Sequence, residues 1–296
     1  MSLRSLLTST YVYIVIFILG AAAFLYPLIS STVNTHAQTR VITSYHEEMA
    51  QLEEAERQRL RAEAEEYNEF VAGLEGNVTD EITEEEKEVS EVVYLSVLAT
   101  GEAIGYLEIP KIEVDLPIFR GSSDDVLSRG VGHLERSSLP IGGESTHSVL
   151  SSHRGLPSSR LFRDLGLLEE GDIFIIDTLD EKIAYEIERI QRVIPTDVES
   201  LRIQEGRDLC TLVTCDPYMI NSHRLLLTGH RVDYSPSLEE EASEHSITFF
   251  EKYIEYFVIV GVVLLVFIAV WLARRMIIKK RRAEEDTSST DSGSHD

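Results

Sequence analysis

Two long apolar runs that contain no charged residue lie near the two ends of the chain. The first covers Thr10 to Ser30 and the second covers Tyr256 to Ala273. A helix of about 20 apolar residues crosses the hydrocarbon core of a bilayer. Residues 1–30 are therefore predicted to be an N-terminal transmembrane signal anchor, and residues 256–273 a second transmembrane helix. A cleaved signal peptide stays open as the alternative for the first run, because the stretch THAQ follows it.

Basic residues directly after the second run predict the orientation of the chain. Residues 274–282 read RRMIIKKRR and contain six Lys and Arg side chains. Because cytoplasmic flanks are enriched in these residues, residues 274–296 are predicted to be a cytoplasmic tail that begins basic and then becomes disordered. The protein is thus predicted to lie in the cell membrane with two spans. Everything between the spans, including a juxtamembrane linker at residues 237–255, is predicted to be extracytoplasmic.

The region after the first run has a helical pattern. Apolar positions between Ser44 and Ala72 recur at the spacing of one or two amphipathic helices. These helices are predicted either to form a stalk that packs loosely on the core or to bind a partner. Gly73 to Glu91 is acidic and weakly periodic, which is typical of a linker or mobile loop. Residues 31–99 are therefore predicted to be a helical stalk followed by an acidic linker.

Beyond Gly101 the pattern changes to short runs of β-forming residues separated by Gly, Pro and Ser. Short helices are predicted near Asp124 to Ser128 and Ser158 to Leu165. Many short strands at this spacing favour a closed barrel or a sandwich, and nothing resembles βαβ alternation. The fold is predicted to be mainly β, with the core domain at residues 100–236. The eight candidate strands are GYLEIP, VDLPIF, HSVLSS, DIFIID, IAYEIERI, VIP, DLCTLVTC and RLLLTGHRV.

Charge and cysteine content exclude some classes of function. The formal net charge of −24 argues against nucleic-acid binding, which needs a basic surface. Cys210 and Cys215 are the two cysteines, and on a strand they would lie about 16 Å apart on opposite faces. Because a disulfide needs Cα atoms within about 7 Å, both thiols are predicted to be free. No Cys/His spacing resembles a zinc site, so no metal or organic cofactor is predicted.

One of these cysteines lies where a strand breaks into a turn. In DLCTLVTC, Cys215 comes last, and Asp216-Pro217 ends the strand because proline cannot donate to the ladder. If this run pairs with RLLLTGHRV as an antiparallel hairpin, Arg224 lies directly across from Cys215. A thiol becomes a nucleophile when positive charge or a base lies nearby. Arg224 is too basic to accept a proton but can donate hydrogen bonds to a substrate carbonyl or oxyanion.

A histidine is therefore needed as the base, and the chain has nine. His153 is favoured because it follows the strand HSVLSS and precedes a loop, and functional groups gather at such strand ends. His133 and His147 are possible but have a less suitable setting. The remaining histidines lie near the apolar runs, in the tail, or at positions on the last strand that point away or lie at its far end.

These segments resemble the class C, pilin-polymerising sortases. TLVTCDPYMINSHRLLLTGHR is similar to the family's active-site stretch, usually TLVTC followed by TPYGxNTHRLLVRGHR. HSVLSSHRGLPSSRLFRDL is similar to its histidine segment, and the opening strands from Gly101 agree as well. The resemblance covers about Gly101 to Tyr234, and several long motifs agree in order and spacing.

The resemblance implies an eight-stranded sortase-type β-barrel that acts as an extracytoplasmic cysteine transpeptidase. Cys215 is implied as the nucleophile, His153 as the general acid/base, and Arg224 as the residue that orients substrate or stabilises the oxyanion. The implied partners are pilin subunits that carry an LPxTG-like sorting signal, joined to a lysine amine of another pilin. Anchoring of surface proteins to a cell-wall amine is the alternative acceptor reaction. A non-catalytic membrane scaffold is the alternative of another class.

Four departures from the family pattern are visible. Asp216 and Met219 replace the usual Thr and Gly of the loop, and Ser152 replaces the Gly before the histidine. Asp216 is expected either to bond the backbone of the turn or to face the sulfur and disfavour the thiolate. The Asp-Pro-aromatic motif of the family's lid is absent between Gly73 and Gly101. The acidic linker is therefore expected to leave the site open or to cover it without that motif.

Overall fold

The computed structural model describes residues 3–74, 94, 98, 101–156, 158–244 and 246, with four further single residues at 258, 261, 263 and 276. Residues 1–246 form one compact unit, and residues 247–296 form a second unit. The second predicted span and the predicted tail lie outside the described residues, apart from those four. The predicted acidic linker also lies largely outside them.

Eight strands close into a barrel within the first unit. Around the barrel they follow the order β1-β2-β3-β4-β7-β8-β6-β5. The strands are β1 (Gly105–Ile109), β2 (Val114–Arg120), β3 (Val131–His133), β4 (Thr146–Ser151), β5 (Ile173–Thr178), β6 (Glu181–Val193), β7 (Asp208–Asp216) and β8 (His223–Val232). The mainly-β prediction is thus confirmed, and the closed barrel replaces the open choice between barrel and sandwich.

Two of the neighbouring strand pairs are parallel. β2 pairs with β3, and β4 pairs with β7, in parallel register, whereas the other pairs are antiparallel. A parallel pair needs a crossover connection rather than a tight hairpin. The chain between β4 and β7 forms β5 and β6. The strands β4 and β7 are therefore adjacent in the barrel but distant in sequence.

Two details of the predicted strand list are wrong. The run VIP at residues 193–195 is not a strand, because β6 continues from Glu181 to Val193 as one 13-residue strand with an irregularity between Ile187 and Arg189. The eighth strand is instead β3, which has only three residues and a central glycine. Its pairing with β2 and β4 on both sides stabilises a segment that has little intrinsic strand preference.

Four α-helices and three short 3-10 helices complete the described part of the chain. The α-helices are α1 (Leu3–Gln51), α2 (Glu54–Ala72), α3 (Asp124–Arg129) and α4 (Pro236–Glu244). The 3-10 helices are Pro110–Ile112, Arg163–Leu167 and Glu199–Leu201. α3 agrees with the predicted short helix, whereas the one predicted at residues 158–165 is the 3-10 helix from Arg163. α4 forms where the juxtamembrane linker was predicted.

The two N-terminal helices pack firmly on the barrel. On α1, Ile42, Tyr45 and Met49 are buried against residues that include Tyr106 and Phe119. On α2, the buried amide of Asn68 forms two hydrogen bonds with the backbone of Leu139, at 2.7 and 3.3 Å. Full burial of a large apolar side chain such as Met49 contributes about 1.5–3 kcal/mol to the stability of the fold. The helices are therefore part of the folded unit rather than a loosely packed stalk.

The described residues include no helix with both the length and the hydropathy of a membrane span. The first predicted span belongs to α1, but most of its side chains lie outside the described residues. Both membrane spans, and the location that follows from them, stay predictions.

Candidate active site

The pleat of β7 places its two cysteines in different environments. Cys210 lies on the same face as Leu212 and Thr214, and all three side chains are buried. Cys215 lies on the opposite face at the end of the strand and is partly exposed. Both thiols are free, as predicted. Burial, with a smaller contribution from Asp208, raises the pKa of Cys210 well above its ordinary value, so this thiol stays protonated.

Arg224 is the register partner of Cys215. β7 and β8 pair antiparallel, and the matched positions run from Leu209 with His230 to Asp216 with His223. The predicted hairpin is therefore confirmed, and Cys215 and Arg224 lie side by side on one face. The Arg224 guanidinium donates hydrogen bonds to the carbonyl oxygens of Asn221 at 3.4 Å and His223 at 3.2 Å. Its contacts are with the backbone of the β7–β8 loop.

His153 follows β4, the strand that pairs with β7 on the side opposite β8. The parallel register of β4 and β7 ends with Ser151 opposite Val213. The Ser152 amide donates to the Val213 carbonyl at 3.2 Å, and the Thr214 hydroxyl donates to the Ser152 carbonyl at 2.8 Å. His153 follows Ser152 in the chain, and Cys215 follows Thr214. We call this end of the barrel, where β4 and β7 finish and β8 begins, the open end.

Asp124 is the acidic neighbour of His153. An oxygen of this carboxylate, at the first position of α3, lies 3.6 Å from His153 Nε2. The distance is too long for a hydrogen bond but allows an ion pair when the imidazole is protonated. Because the Asp124 side chain is 98% exposed, water screens this attraction strongly. The sequence named no partner for His153, and this carboxylate from α3 is its acidic neighbour in the structure.

An apolar cluster lies on the face of the sheet that carries Cys215. Its centre consists of Val149, Leu201 and Leu226, which are buried together. Partly buried apolar residues pack against this centre, namely Leu134, Val193, Val198 and Val213. Leu201 and Val198 belong to the long connection between β6 and β7, which therefore packs on this face of the sheet.

Asp216 faces away from the sulfur and binds two guanidinium groups. Its carboxylate is buried and forms ion pairs with Arg154 and with Arg192, the latter at 2.6 Å. Arg154 also donates to the Cys215 carbonyl at 3.5 Å. Both sequence-based expectations for Asp216 are therefore replaced by a third arrangement. The carboxylate joins the segment that follows His153, the end of β7 and the end of β6.

The sequence contained a signal for this arrangement that was not used. Period-2 alternation puts Asp216 on the inward face of β7 with Cys210 and Leu212. A carboxylate on such a face needs a buried cationic partner, because an unpaired buried charge is costly. Arg154 follows the favoured histidine directly and was a natural candidate for this partner.

Two other histidines are part of the folded core. Burial lowers the pKa of His133 and of His147 to about 4 in each case, so both are neutral near pH 7. His133 contacts the Tyr94 hydroxyl at 3.0 Å, and His147 contacts the Thr211 hydroxyl at 2.7 Å. Because both rings are enclosed and hydrogen-bonded, neither can exchange a proton with a substrate at the open end.

The remaining departures from the family pattern have local explanations. Met219 has φ +66°, a left-handed conformation that favours glycine and costs about 1–3 kcal/mol for other residues. This explains why glycine is usual at the position. The Ser152 side chain is buried and donates to the Gly130 carbonyl at 2.7 Å. Its hydroxyl therefore has a partner in the space beside the histidine segment.

Within the part of the chain that the structure describes, no group of three or more His, Cys, Asp or Glu side chains is arranged to hold a metal ion. The open end carries a thiol at Cys215, an imidazole at His153 and a guanidinium at Arg224. Such a set is suited to acyl transfer through a covalent intermediate.

Comparison with known proteins agrees with this chemistry. The sequence profile of the sortase domain matches residues 107–232. The crystal structure of sortase C1 from Streptococcus agalactiae is 43% identical, with a TM-score of 0.61 and coverage of 66% of this chain and 100% of that chain. The chain belongs to the sortase family. Sortases are cysteine transpeptidases, and the structural neighbours of this sortase are class C enzymes.

Two further relatives define the range of similarity. A sortase C from Clostridium perfringens, solved with the C-terminal cell wall sorting motif, is 37% identical with a TM-score of 0.56, and 66% of this sortase covers 100% of that chain. Sortase D of Bacillus subtilis (strain 168) is 36% identical over 136 residues, which are 45% of this chain and 66% of that protein. This sortase thus spans about two thirds of the length of that curated relative.

Proposed function

We propose that this sortase is a membrane-anchored pilin polymerase with an extracytoplasmic active site. Cys215 is the nucleophile, His153 is the general acid and base, and Arg224 orients the substrate or stabilises the oxyanion. The substrate is an LPxTG-like sorting signal on a pilin subunit. The acceptor is a lysine amine of another pilin.

In the first half of the reaction, the Cys215 thiolate attacks the carbonyl carbon of the threonine in the sorting signal. The negative charge that develops on the carbonyl oxygen is stabilised by hydrogen bonds from the Arg224 guanidinium. The C–N bond to the following glycine then breaks, and protonated His153 gives its proton to the leaving amine. The product is a thioester between Cys215 and the pilin.

In the second half, a lysine amine attacks the thioester carbonyl. His153, now neutral, accepts the proton that the amine loses, and Cys215 leaves as a thiolate. The new bond is an isopeptide bond between two subunits, and the enzyme returns to its starting protonation state. No redox partner or metal enters these steps.

One observation carries the proposal. β7 pairs with β8 on one side, where Cys215 lies opposite Arg224, and with β4 on the other side, where His153 follows the last paired residue, Ser151, by two positions. Partly buried apolar residues on the same face, such as Val213 and Val193, support binding of the apolar residues that precede the scissile bond. The class C neighbours support the choice of a pilin as substrate.

Detection of the acyl-enzyme tests the first half. The full chain is incubated with a peptide that contains a sorting signal, and the intact mass is measured after acid quenching. The expected mass increase equals the peptide segment up to threonine and maps to the tryptic peptide that contains Cys215. Absence of the adduct with every sorting-signal variant, from a chain whose Cys215 reacts with iodoacetamide, would sink the proposal.

Competition between acceptors tests the second half. The enzyme is given a pilin that carries both a sorting signal and an acceptor lysine, together with an amine that mimics a cell-wall precursor. An SDS-resistant ladder of pilins is the expected result. If products form only with the wall amine, the enzyme anchors proteins instead of polymerising them. A scaffold without catalysis would keep its cellular role after Cys215→Ala.

A further inference from the structure

α1 packs along the barrel and contacts the segment that follows His153. Its C-terminal part contacts the far end of the barrel, where the Tyr45 hydroxyl accepts a hydrogen bond from the Leu179 amide at 2.7 Å. Towards its N-terminus, Gln38 Nε2 donates to the Arg129 carbonyl and Asn34 Nδ2 to the Ser158 carbonyl, at 3.0 and 2.7 Å. Ser158 lies five residues after His153. α1 therefore leaves the barrel at the open end.

The exposed apolar surface of α1 begins where this contact ends. Asn34 is four residues from Ser30, the end of the first apolar run, which is about 6 Å along a helix. Large apolar side chains on the preceding turns are each more than half exposed, and apolar surface of this extent calls for a non-aqueous neighbour. They are Val15, Ile18, Leu19, Tyr26, Ile29 and Val33.

The β7–β8 loop presents a second apolar surface at the same end. Met219 is 80% exposed and Ile220 is 71% exposed, and the neighbouring Tyr218 is also exposed. Arg163 donates to the Tyr218 hydroxyl at 3.1 Å and lies over its ring, 5.4 Å from the centroid. Ile194, directly after β6, is exposed at this end too. Tyrosine and arginine beside apolar tips are typical of a membrane interface.

We propose that the β7–β8 loop is a lipid-docking surface that holds the open end of the barrel against the outer face of the bilayer. Met219 and Ile220 enter the boundary between headgroups and acyl chains, and Tyr218 with Arg163 lies at headgroup level. The inference rests on the membrane anchoring in the proposed function. It adds that the active site faces the membrane rather than the outside.

The lipid surface is favoured over other occupants by geometry. The loop and the N-terminal half of α1 leave the barrel at one end, so a bilayer that surrounds the apolar part of α1 reaches that end within about one helical turn. A sorting signal bound only over the apolar cluster would leave Met219 and Ile220 in water, because neither residue belongs to that cluster and both lie beyond the end of β7.

Quenching by brominated lipid tests the docking. The chain's one tryptophan, Trp271, is replaced by phenylalanine. In that background, Met219→Trp reports on the loop and Glu144→Trp on the opposite end of the barrel, in the exposed turn before β4. Full chains are reconstituted into phosphatidylglycerol-containing vesicles whose acyl chains are brominated near the headgroup. Interfacial insertion reaches about 5–10 Å into this zone, so quenching of Met219→Trp should exceed that of Glu144→Trp at least about threefold.

Each outcome decides the inference. Equal quenching at both positions, or none at either, overturns it. If the fluorescence of Met219→Trp is not quenched by brominated lipid but its emission changes when a sorting-signal peptide is added, the loop is a substrate-binding surface and the inference is overturned. The same vesicles are assayed for the Cys215 acyl-enzyme. An acyl-enzyme that forms without quenching of Met219→Trp rejects the docking inference but leaves the proposed function intact. A chain that does not float with the vesicles also rejects membrane anchoring.

Discussion

The two ends of the β7–β8 hairpin carry the same kinds of side chain, but these side chains differ in burial and in their bonding partners. Both ends contain one aspartate, one cysteine and one His-Arg pair. At the far end these residues are Asp208, Cys210, His230 and Arg231, and at the open end they are Asp216, Cys215, His223 and Arg224. The comparison separates what a residue type contributes from what its position contributes.

At the far end, the polar groups bond to the protein itself. Asp208 accepts hydrogen bonds from the Tyr185 hydroxyl at 2.9 Å and from the Gly143 amide at 2.8 Å, and it contacts Arg231 at 3.5 Å. Cys210 is buried and protonated. At the open end, Cys215 is partly exposed, and the Arg224 guanidinium contacts only backbone carbonyls of the β7–β8 turn in the described part of the chain. The residue types are the same, but only the open end leaves a thiol within reach of a substrate.

The largest expected effect separates the two cysteines. Cys215→Ala should abolish the acyl-enzyme, because the other thiol, Cys210, is fully buried on the opposite face of β7. Cys210→Ala should keep the acyl-enzyme and lower the free energy of unfolding by about 1 kcal/mol, since it removes a buried sulfur. Intact mass and urea denaturation measure the two results. Acyl-enzyme formation by Cys215→Ala at the wild-type rate would contradict the comparison.

The two ends of β4 offer the next test. His153→Gln should lower the rate of transpeptidation about 10²–10⁴-fold, the usual contribution of general acid-base catalysis. His147→Gln, at the far end, should leave the rate constant within a few-fold, because that ring contacts only the protein. Single-turnover kinetics with a sorting-signal peptide measures both. A similar decrease in rate for the two variants would show that the rate reports on the integrity of the fold rather than on proton transfer by His153.

The arginines of β8 form the third pair. Arg224→Gln should lower the rate about 10²–10³-fold, as expected for the loss of one donor to an oxyanion. Arg231→Gln should affect stability only, because Arg231 contacts Asp208 and Glu181. If Arg224→Lys restores most of the rate, positive charge is sufficient. A rate as low as that of Arg224→Gln would mean that the planar guanidinium is needed.

The pH dependence of the unfolding free energy should report on the buried side chain of His147. Burial lowers the pKa of His147 to about 4, below its ordinary value of 6.5, so between these pH values the unfolded chain binds the proton and the folded chain does not. Stability is therefore complete above about pH 6.5 and falls towards pH 4, by about 3 kcal/mol for this group. His147→Gln should flatten the curve of unfolding free energy against pH. An unchanged slope would contradict the buried, neutral state.

The smallest expected effect concerns the two aspartates of β7. Asp216→Asn should speed alkylation of Cys215 several-fold at pH 7, because it removes a negative charge from the residue next to Cys215 while the positive charges of Arg154 and Arg192 remain, which favours the thiolate. Asp208→Asn is the matched control and should not change this rate. Slower alkylation in Asp216→Asn would show that the carboxylate mainly holds the site in place.

The sequence was sufficient for the parts of the fold that depend on local patterns. Alternation in DLCTLVTC predicted the faces of β7, and the turn at Asp216-Pro217 predicted the hairpin that pairs Cys215 with Arg224. β3 was missed because a strand of three residues with a central glycine has no detectable period, and only its two neighbours stabilise it. The end of β6 was misread as a separate strand because the irregularity between Ile187 and Arg189 interrupts the alternation along this strand.

Non-local contacts account for what was missed at the site. Nothing in the local sequence of α3 indicates that Asp124 lies near His153, because the pairing of β2, β3 and β4 brings them together. Arg192, on β6, reaches Asp216 only because β8 lies between β6 and β7. The packing of α1 and α2 likewise depends on barrel residues far along the chain.

The parallel pairing of β4 with β7 also fixes when the enzyme becomes competent. During synthesis from the N-terminus, His153 emerges long before Cys215, and the two remain separate until β5, β6 and most of β7 exist. Arg224 follows later still. Under the proposed mechanism, a partly made chain therefore has no assembled nucleophile, and its thiol is not acylated by sorting signals before the barrel has closed.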